Sequence, residues 1–285
     1  MQVKIAVIGG DRRASYLAGM LLREGERLQS FALERAGLPE EIPRAEHLHG
    51  ALYGADAVIL PLPVEKGGLL NAPYARLPCS MEDVKEALWP GQLVFGGLFS
   101  EELRQWAAKH GITFVDWLRR PGFVSANAAL TAECAVGLLI QESERCLMGS
   151  RVLVSGYGRI GRCLAQKLSA LGAAVTVAAR REESRAEAEA MGISALPFAA
   201  LPGAFDYVVN TVPERVLSES FLCCLPETAL LLELASAPGG FDRNLAENLG
   251  LRCMAAPGLP GKSAPAAAAE RMLRDMRLAM KEEQE

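Results

Sequence analysis

Short apolar runs alternate along the chain with longer stretches in which apolar residues recur every three or four positions. The short runs predict strands and the longer stretches predict helices. Runs such as Ala57–Leu60 are apolar on both faces, which is typical of parallel strands covered by helices. The predicted strands are Val3–Ile8, Arg27–Leu33, Ala57–Leu60, Gln92–Phe95, Ile112–Val115, Arg151–Ser155, Ala174–Ala179, Tyr207–Asn210, Ala229–Leu234 and Leu251–Ala255.

Helical stretches separate most of these strands. Ser80 and Ser100 each precede one and are candidate N-caps, because a serine hydroxyl can accept from the first free N–H groups of a helix. The predicted helices are Arg12–Glu24, Glu82–Trp89, Glu101–Lys109, Asn127–Leu147, Ile160–Leu171, Glu182–Met191, Leu217–Leu225, Asp242–Leu249 and 266–283.

The strand–helix alternation occurs twice, on either side of the long helix 127–147. The pattern therefore predicts an α/β protein with two doubly wound parallel-sheet Rossmann-like domains joined by a long crossing helix. The C-terminal helix carries an apolar stripe that requires a partner surface, and we expect it to pack back on the first domain. The expected domains are a first domain over 1–126, with the crossing helix 127–148 and the C-terminal helix 266–285, and a second domain over 149–260.

Composition excludes several classes of partner. The 30 Lys and Arg residues are balanced by 34 Asp and Glu residues, so nothing favours nucleic acid. Unbroken apolar runs are far shorter than the ~20 residues of a membrane span, and the chain begins directly with a strand pattern. We therefore expect a cytoplasmic protein. Its seven cysteines include no CxxC pair.

The histidines are few, and they restrict the chemistry. His47 and His49 form an HxH pair that could hold a metal, or alternatively a polar turn before Gly50. We predict no metal site, because no cysteine or carboxylate pair with ligand spacing accompanies them. No histidine lies beyond His110, so a histidine acid in the second half is excluded.

A glycine-rich loop follows the strand Arg151–Ser155 and has the sequence Gly156-Tyr157-Gly158-Arg159-Ile160-Gly161. A GxGxxG between a strand and a helix, closed by a second strand within about 30 residues, is typical of dinucleotide binding. Gly156 would form the tight turn, Gly158 would let the pyrophosphate approach, and Gly161 would let helix and strand pack closely. The helix start then offers free N–H groups to the phosphates.

The residues after the second strand select the cofactor. NAD sites place a carboxylate there, about 20 residues after the glycines, to bind the ribose 2′-hydroxyl. Here the positions are Arg180 and Arg181, and guanidinium groups pair well with phosphate. We therefore expect NADP(H) rather than NAD. The alternative is an exposed arginine pair at a helix start.

The first strand also ends in glycines, in the segment Gly9-Gly10-Asp11-Arg12-Arg13, but it lacks the GxGxxG spacing. We expect no second dinucleotide there. An anion could bind at that helix start beside the arginines, or the turn could simply be solvated, and both possibilities stay open.

Ligands of such folds lie outside the carboxyl ends of the strands. This rule points to the loops that follow three strands of the second domain, where we expect contacts with the ribose and nicotinamide. The residues are Thr211, Val212, Pro213, Ala235, Ser236, Pro257 and Gly258.

Several segments occur together in the order of one family. They include Ile-Ala-Val-Ile-Gly-Gly-Asp (5–11), Ile-Leu-Pro (59–61), the glycine loop, Leu-Ala-Ser-x-Pro-Gly-Gly-Phe-Asp (234–242) and Ala-Pro-Gly-Leu-Pro-Gly-x-x-Ala-Pro (256–265), with Asn127 and Thr131-x-Glu133. The set resembles the A subunit of dipicolinate synthase, a bacterial sporulation enzyme, over essentially the whole chain. More distantly, the two-domain plan is similar to that of the D-2-hydroxyacid dehydrogenases and S-adenosylhomocysteine hydrolase.

The resemblance implies an NADP-linked oxidation that yields pyridine-2,6-dicarboxylate from a dihydrodipicolinate or its hydrated precursor. It also implies that the partner is the flavoprotein-like B subunit of that synthase, and we expect a homo-oligomer. Three positions depart from the family pattern: Leu130 replaces a proline, Cys134 replaces a glycine, and Ala237 replaces an arginine.

The reaction asks little of a strong base, because loss of a hydride and a proton makes the ring aromatic. Glu133 and Thr131 are the acid/base and hydrogen-bonding candidates, with Asn127 beside them. Glu133 and Asn127 could instead only cap and brace the crossing helix. Lys262 and Arg119 or Arg120 are candidate clamps for the two carboxylates.

Two other functions stay open. The chain could be an NADP-dependent dehydrogenase of another small acid, or a cofactor-binding regulatory component of a flavoprotein complex.

Overall fold

The computed structural model describes residues 3–283, and its strands follow the predicted order. Most strand boundaries fall within one or two residues of the predicted positions. The strands are β1 Lys4–Ile8, β2 Arg27–Phe31, β3 Ala57–Ile59, β4 Glu65–Lys66, β5 Leu69–Leu70, β6 Leu93–Gly96, β7 Thr113–Asp116, β8 Arg151–Ser155, β9 Ala174–Ala178, β10 Ser194–Leu196, β11 Tyr207–Asn210, β12 Leu230–Glu233 and β13 Arg252–Ala255.

The helices lie between these strands, and Ser80 and Ser100 cap two of them as predicted. The α-helices are α1 Arg12–Arg23, α2 Leu48–Leu52, α3 Met81–Ala87, α4 Glu101–Lys109, α5 Pro121–Glu142, α6 Arg159–Ala170, α7 Glu182–Ala190, α8 Glu219–Cys223, α9 Arg243–Asn248, α10 Leu259–Ser263 and α11 Pro265–Glu282. Short 3-10 turns cover Trp117–Arg119 and Phe198–Ala200.

The chain divides into two compact units, 3–127 with 264–283 and Ala128–Ser263. In the first unit the described strands form a parallel sheet of order β2-β1-β3-β6-β7, and β4 and β5 form a separate antiparallel hairpin. The strand order reverses between β1 and β3. In open parallel sheets such a reversal opens a crevice at the carboxyl ends of the two strands.

Helix α11 completes the core of the first unit. Its Met272 and Met276 are buried in one cluster with Leu17 and Leu21 of α1. The C-terminal helix therefore packs on the first domain, as its apolar stripe predicts.

The second unit contains a parallel sheet of order β10-β9-β8-β11-β12-β13 among the described strands. Its strands are apolar on both faces: Val152 and Val154 join one buried cluster, and Leu153 joins the other. This order is the doubly wound arrangement that binds dinucleotides, and its reversal lies between β8 and β11. The predicted fold class is confirmed in both units.

The crossing helix α5 differs from its predicted bounds, 127–147. It begins at Pro121, because proline suits a first helical position, and it ends at Glu142. By length and composition it could cross a membrane, with a mean hydropathy of 1.6, although the apolar runs predicted no such segment. Its Ala132, Ala135 and Leu139 are fully buried in the core of the second unit, as in a core helix of a folded domain.

The HxH segment is not a simple turn before Gly50. His47 precedes the short helix α2, and His49 lies within it. Within residues 3–283, no group of three His, Cys, Asp or Glu side chains is arranged to hold a metal ion.

Candidate dinucleotide site

The loop after β8 has the backbone that a tight strand-to-helix turn requires. Gly156 adopts φ +96°, in the left-handed region that favours glycine. A Cβ at this position would lie 2.6 Å from Thr211 Oγ1 and 2.7 Å from Val212 Cγ2. The turn is therefore closed by the loop that follows β11.

The other two glycines of the loop have different surroundings. A Cβ on Gly161 would lie 2.1 Å from the carbonyl oxygen of Gly156, so only glycine lets α6 pack this closely. At Gly158 a Cβ would meet no heavy atom of the described residues within 4 Å, and φ is an ordinary −78°. Nothing in this structure requires glycine at 158. The approach of a pyrophosphate to Gly158 stays a prediction from the sequence.

The starts of α1 and α6 differ in their caps. Gly158 caps α6 and has no side chain to offer, so the first N–H groups of this helix are left for an anion. Asp11 caps α1 with its own carboxylate, which accepts from the backbone N–H of Arg13 at 3.0 Å. Of the two helix starts, α6 is therefore the one whose first N–H groups have no side-chain cap.

Arg13 is committed to structure. It is buried, its Nη2 lies 2.8 Å from Asp11 Oδ2, and it also donates to the carbonyl oxygen of Leu62. It thus joins the loops after β1 and β3 across the reversal of the first sheet. Arg13 is thus paired with Asp11, whereas Arg12 is exposed, and the choice between a bound anion and a solvated turn at this helix start stays open.

Within the glycine loop, Tyr157 turns its side chain into the core, and burial raises the pKa of its phenol. Arg162 stacks over this ring, with its guanidinium carbon 5.2 Å from the ring centroid, and donates to the Tyr157 carbonyl oxygen. Ile160 packs against the same core. Arg159 is exposed on the first turn of α6, where it adds a cation beside the free N–H groups.

The two arginines after β9 are exposed, and one of them has a partner. Arg180 Nη1 lies 2.7 Å from Glu214 Oε2, and its Nη2 lies 3.4 Å from Oε1. Arg181 precedes α7 directly. Arg185 donates to the carbonyl oxygens of residues 179 and 180, which fixes the backbone that presents both guanidinium groups.

A polar network that the sequence analysis missed joins the carboxyl ends of three strands. Ser155 Oγ donates to Asn210 Oδ1 at 2.8 Å, and Asn210 Nδ2 donates to Glu233 Oε1 at 2.6 Å. The Glu233 carboxylate also accepts from the backbone N–H groups of Ala235 at 2.9 Å and Gly240 at 2.8 Å. Glu233 therefore holds the loop 234–240 closed against the sheet.

The same network leaves little room around the loop. A Cβ on Gly240 would lie 2.3 Å from the Asn210 side chain, and one on Gly239 would lie 2.7 Å from Glu233 Oε2. The two glycines of the Pro-Gly-Gly segment therefore pack directly against Asn210 and Glu233, and a larger residue at either position would displace these side chains. Its only sequence signal was a carboxylate at the end of an otherwise apolar strand.

The remaining loop residues lie at this same edge of the sheet. The Thr211 hydroxyl donates to the Ser155 carbonyl oxygen at 2.8 Å, so it fixes the residue that directly precedes the glycine loop. Val212 and Ala235 are half-buried, and the other positions predicted for cofactor contact, Pro213, Ser236, Pro257 and Gly258, are exposed.

Three of the four candidate catalytic residues lie on the crossing helix α5, and the fourth lies on α10. Glu133 is exposed, with its Oε2 3.3 Å from Lys167 Nζ. Thr131 is buried and Asn127 is half-buried. Lys262 is exposed on α10.

Of the two candidate arginine clamps, Arg119 is exposed and Arg120 is already bound by carboxylates. Arg120 Nε lies 2.7 Å from Asp275 Oδ2, and its Nη1 lies 2.8 Å from Glu282 Oε2. Arg120, the residue before α5, is therefore tied to α11 within the first unit, and its role as a substrate clamp stays a prediction.

Comparison with known proteins shows which proteins this chain is similar to. The family model for the N-terminal domain of the dipicolinate synthase A subunit matches residues 4–118, and the model for the NAD binding domain of D-isomer specific 2-hydroxyacid dehydrogenase matches residues 139–237. The A subunit of dipicolinate synthase from Bacillus subtilis (strain 168) is 29% identical over 282 residues, which cover 94% of this chain and 92% of the relative.

Solved structures agree with the sequence matches. The dipicolinate synthase A chain of Bacillus subtilis superposes with a TM-score of 0.85 and 27% identity, over 100% of this chain and 97% of the other. The corresponding protein from Bacillus halodurans gives a TM-score of 0.84 and 25% identity, over 97% of each chain. The resemblance seen in the sequence is confirmed, and the second unit is of a kind that binds a nicotinamide nucleotide.

Proposed function

We propose, on the premise that this chain is similar to the A subunit of dipicolinate synthase over both domains, that it is the NADP-dependent oxidoreductase component of such an enzyme. Its product is dipicolinate, formed from dihydrodipicolinate or its hydrated precursor during sporulation. The observation that carries the proposal is the loop after β8. There an uncapped helix start and an open surface at Gly158 stand beside two exposed arginines, Arg180 and Arg181.

The residues of this loop fit an NADP nucleotide. The first N–H groups of α6 and the side chain of Arg159 take the pyrophosphate, and Arg180 and Arg181 take the 2′-phosphate. A bound nucleotide of this kind would supply the hydride acceptor for the oxidation. The loop that Glu233 holds in place supports the nicotinamide end of the site.

Residues of the crossing helix and of α10 handle the substrate in this proposal. Glu133, whose carboxylate is exposed, accepts the proton that leaves with the hydride. Thr131 and Asn127 hydrogen-bond and orient the substrate. Lys262, which is exposed on α10, binds a carboxylate of the substrate.

The proposal includes the flavoprotein-like B subunit of dipicolinate synthase as partner, a cytoplasmic location and assembly of this chain into a homo-oligomer. The second candidate function is dehydrogenation of another small acid. It is favoured by the match of the nucleotide unit to 2-hydroxyacid dehydrogenases. A regulatory role, with the chemistry in the partner, is the remaining alternative.

An activity assay distinguishes these functions. The purified chain is mixed with a dihydrodipicolinate precursor and NADP⁺, with and without the B subunit, and formation of the product is measured. Product from this chain alone would exclude the regulatory role. Absence of turnover in both mixtures would refute the proposed function.

Replacement of Arg180 tests the nucleotide preference. Arg180→Ala removes a fork of donors that only NADPH can use fully, so we expect it to weaken NADPH binding at least tenfold more than NADH binding. Fluorescence titration of both nucleotides measures this ratio. Equal losses for the two would remove the argument for NADP.

A further inference from the structure

The ion pair between Arg180 and Glu214 crosses the end of β8. Arg180 follows β9 and Glu214 follows β11, and β8 lies between these two strands in the sheet. Adjacent strands are about 4.8 Å apart, so the two backbones are separated by roughly 10 Å at the sheet edge. The side chains nevertheless meet at 2.7 Å, above the strand that leads into the glycine loop.

This crossing coincides with the path of the nucleotide in the proposed function. The adenosine ribose of a dinucleotide lies beside the end of the second strand, and its phosphates lie over the glycine loop. Thr211 and Val212 pack against Gly156, and Glu214 follows them two residues later in the same loop. The Glu214 carboxylate therefore already occupies the donors that a 2′-phosphate would use.

We propose that Glu214 is a specificity-determining residue that competes with the 2′-phosphate of the nucleotide for Arg180. This inference rests on the proposed function, because it assumes that the loop binds a pyridine nucleotide. Binding of NADP⁺ requires that the pair opens, and Arg180 then exchanges a carboxylate for a phosphate. NAD⁺ carries a hydroxyl at this position and leaves the pair in place.

The exposure of the pair makes this exchange easy. The side chains of Arg180 and Glu214 are 64% and 58% exposed, and ion pairs so exposed to water are weak. A phosphate carries more charge than a carboxylate and presents more acceptor oxygens to the guanidinium fork. Glu214 thus lowers the preference for NADP⁺ without abolishing it, so one loop serves both nucleotides.

Glu214→Gln tests the competition, because it removes the charge and keeps the size of the side chain. Glu247→Gln is the matched control. Glu247 belongs to an equally short 2.7 Å pair with Arg243 in the same unit, and those side chains are 48% and 55% exposed. Calorimetric titrations with NADP⁺, NAD⁺, 2′,5′-ADP and 5′-AMP isolate the contribution of the 2′-phosphate.

We expect Glu214→Gln to tighten the binding of NADP⁺ and 2′,5′-ADP by about three- to tenfold, which corresponds to the loss of one exposed competing ion pair. The affinities for NAD⁺ and 5′-AMP should stay within about twofold, and the control should change none of the four. An equal change for all four ligands, or no change for any, would overturn the inference.

A double variant separates competition from direct repulsion. In the Arg180→Ala background, Glu214→Gln should have less than about a twofold effect on 2′,5′-ADP, because the contested guanidinium is gone. A persistent effect would show that Glu214 acts on the phosphate itself and would overturn the proposal. If the unaltered chain binds none of the four ligands, the proposed function fails before this inference is tested.

Discussion

Gly158→Ala should separate cofactor binding from folding. The backbone at Gly158 is extended, at φ −78° and ψ −166°, which alanine adopts without strain. The added methyl would meet no heavy atom of the described residues within 4 Å. Alanine lowers the conformational entropy of the unfolded chain, which stabilises the folded state by about 0.4–1 kcal/mol. Alanine is also a somewhat poorer helix cap than glycine, which destabilises it. The two effects nearly cancel, so the free energy of unfolding should change by less than about 1 kcal/mol.

Binding should respond differently to the same methyl group. It would occupy the space through which the pyrophosphate approaches the start of α6. Loss of about two charge-assisted hydrogen bonds, at roughly 1.5 kcal/mol each, amounts to about 3 kcal/mol. We therefore expect an increase of roughly 100-fold in the Kd for NADPH.

Gly161→Ala is the matched comparison, three residues along the same loop. Its methyl would lie 2.1 Å from the Gly156 carbonyl oxygen, so α6 must move away from the loop. Overpacking of this kind costs about 1–3 kcal/mol, and Tm should fall by roughly 5 °C. Thermal melts and NADPH titrations of both variants provide the test. Binding by Gly158→Ala within threefold of the unaltered chain would refute the reasoning.

Two further substitutions test polar contacts within the units. The Glu233 carboxylate accepts from three N–H groups, and Glu233→Gln replaces one acceptor oxygen with an NH₂ group, so one donor, such as the N–H of Gly240, loses its acceptor. The free energy of unfolding, measured in urea, should fall by about 1–3 kcal/mol. Glu227→Gln, at an exposed position, is the control and should change nothing. Arg120→Met leaves Asp275 buried without its guanidinium and should cost about 3 kcal/mol at pH 7. Burial raises the pKa of Asp275, so the folded state takes up a proton more readily than the unfolded chain, and the loss should shrink as pH falls through that raised pKa. A difference in Tm that is the same at pH 7 and pH 4.5 would contradict this assignment.

Much of the nucleotide unit could be predicted from local patterns. The strands Arg151–Ser155 and Tyr207–Asn210 have the predicted bounds, because each is a short apolar run bounded by a turn or a polar residue. The roles of Gly156 and Gly161 also follow from spacing alone, since the GxGxxG pattern fixes which glycine faces which neighbour.

Contacts between distant loops could not be predicted in this way. Glu233 binds Asn210 at the end of a neighbouring strand and the N–H of Gly240 seven residues along the chain, and the partner of Arg180 lies 34 residues away, at Glu214. Pairing of this kind depends on strand order, which periodicity does not encode. The short strand Ser194–Leu196 and the hairpin at Glu65–Leu70 were missed because such brief segments carry too few residues to show a period.

The division of the chain has a consequence for its synthesis. The nucleotide unit is one continuous segment, whereas the first unit is built from two segments that flank it. On a ribosome, Ala128–Ser263 emerges whole while the face of α1 that carries Leu17 and Leu21 still lacks Met272 and Met276. During synthesis the second unit can therefore fold before the core of the first unit is complete. A chain that ended before α11 would leave the apolar face of α1 exposed to water.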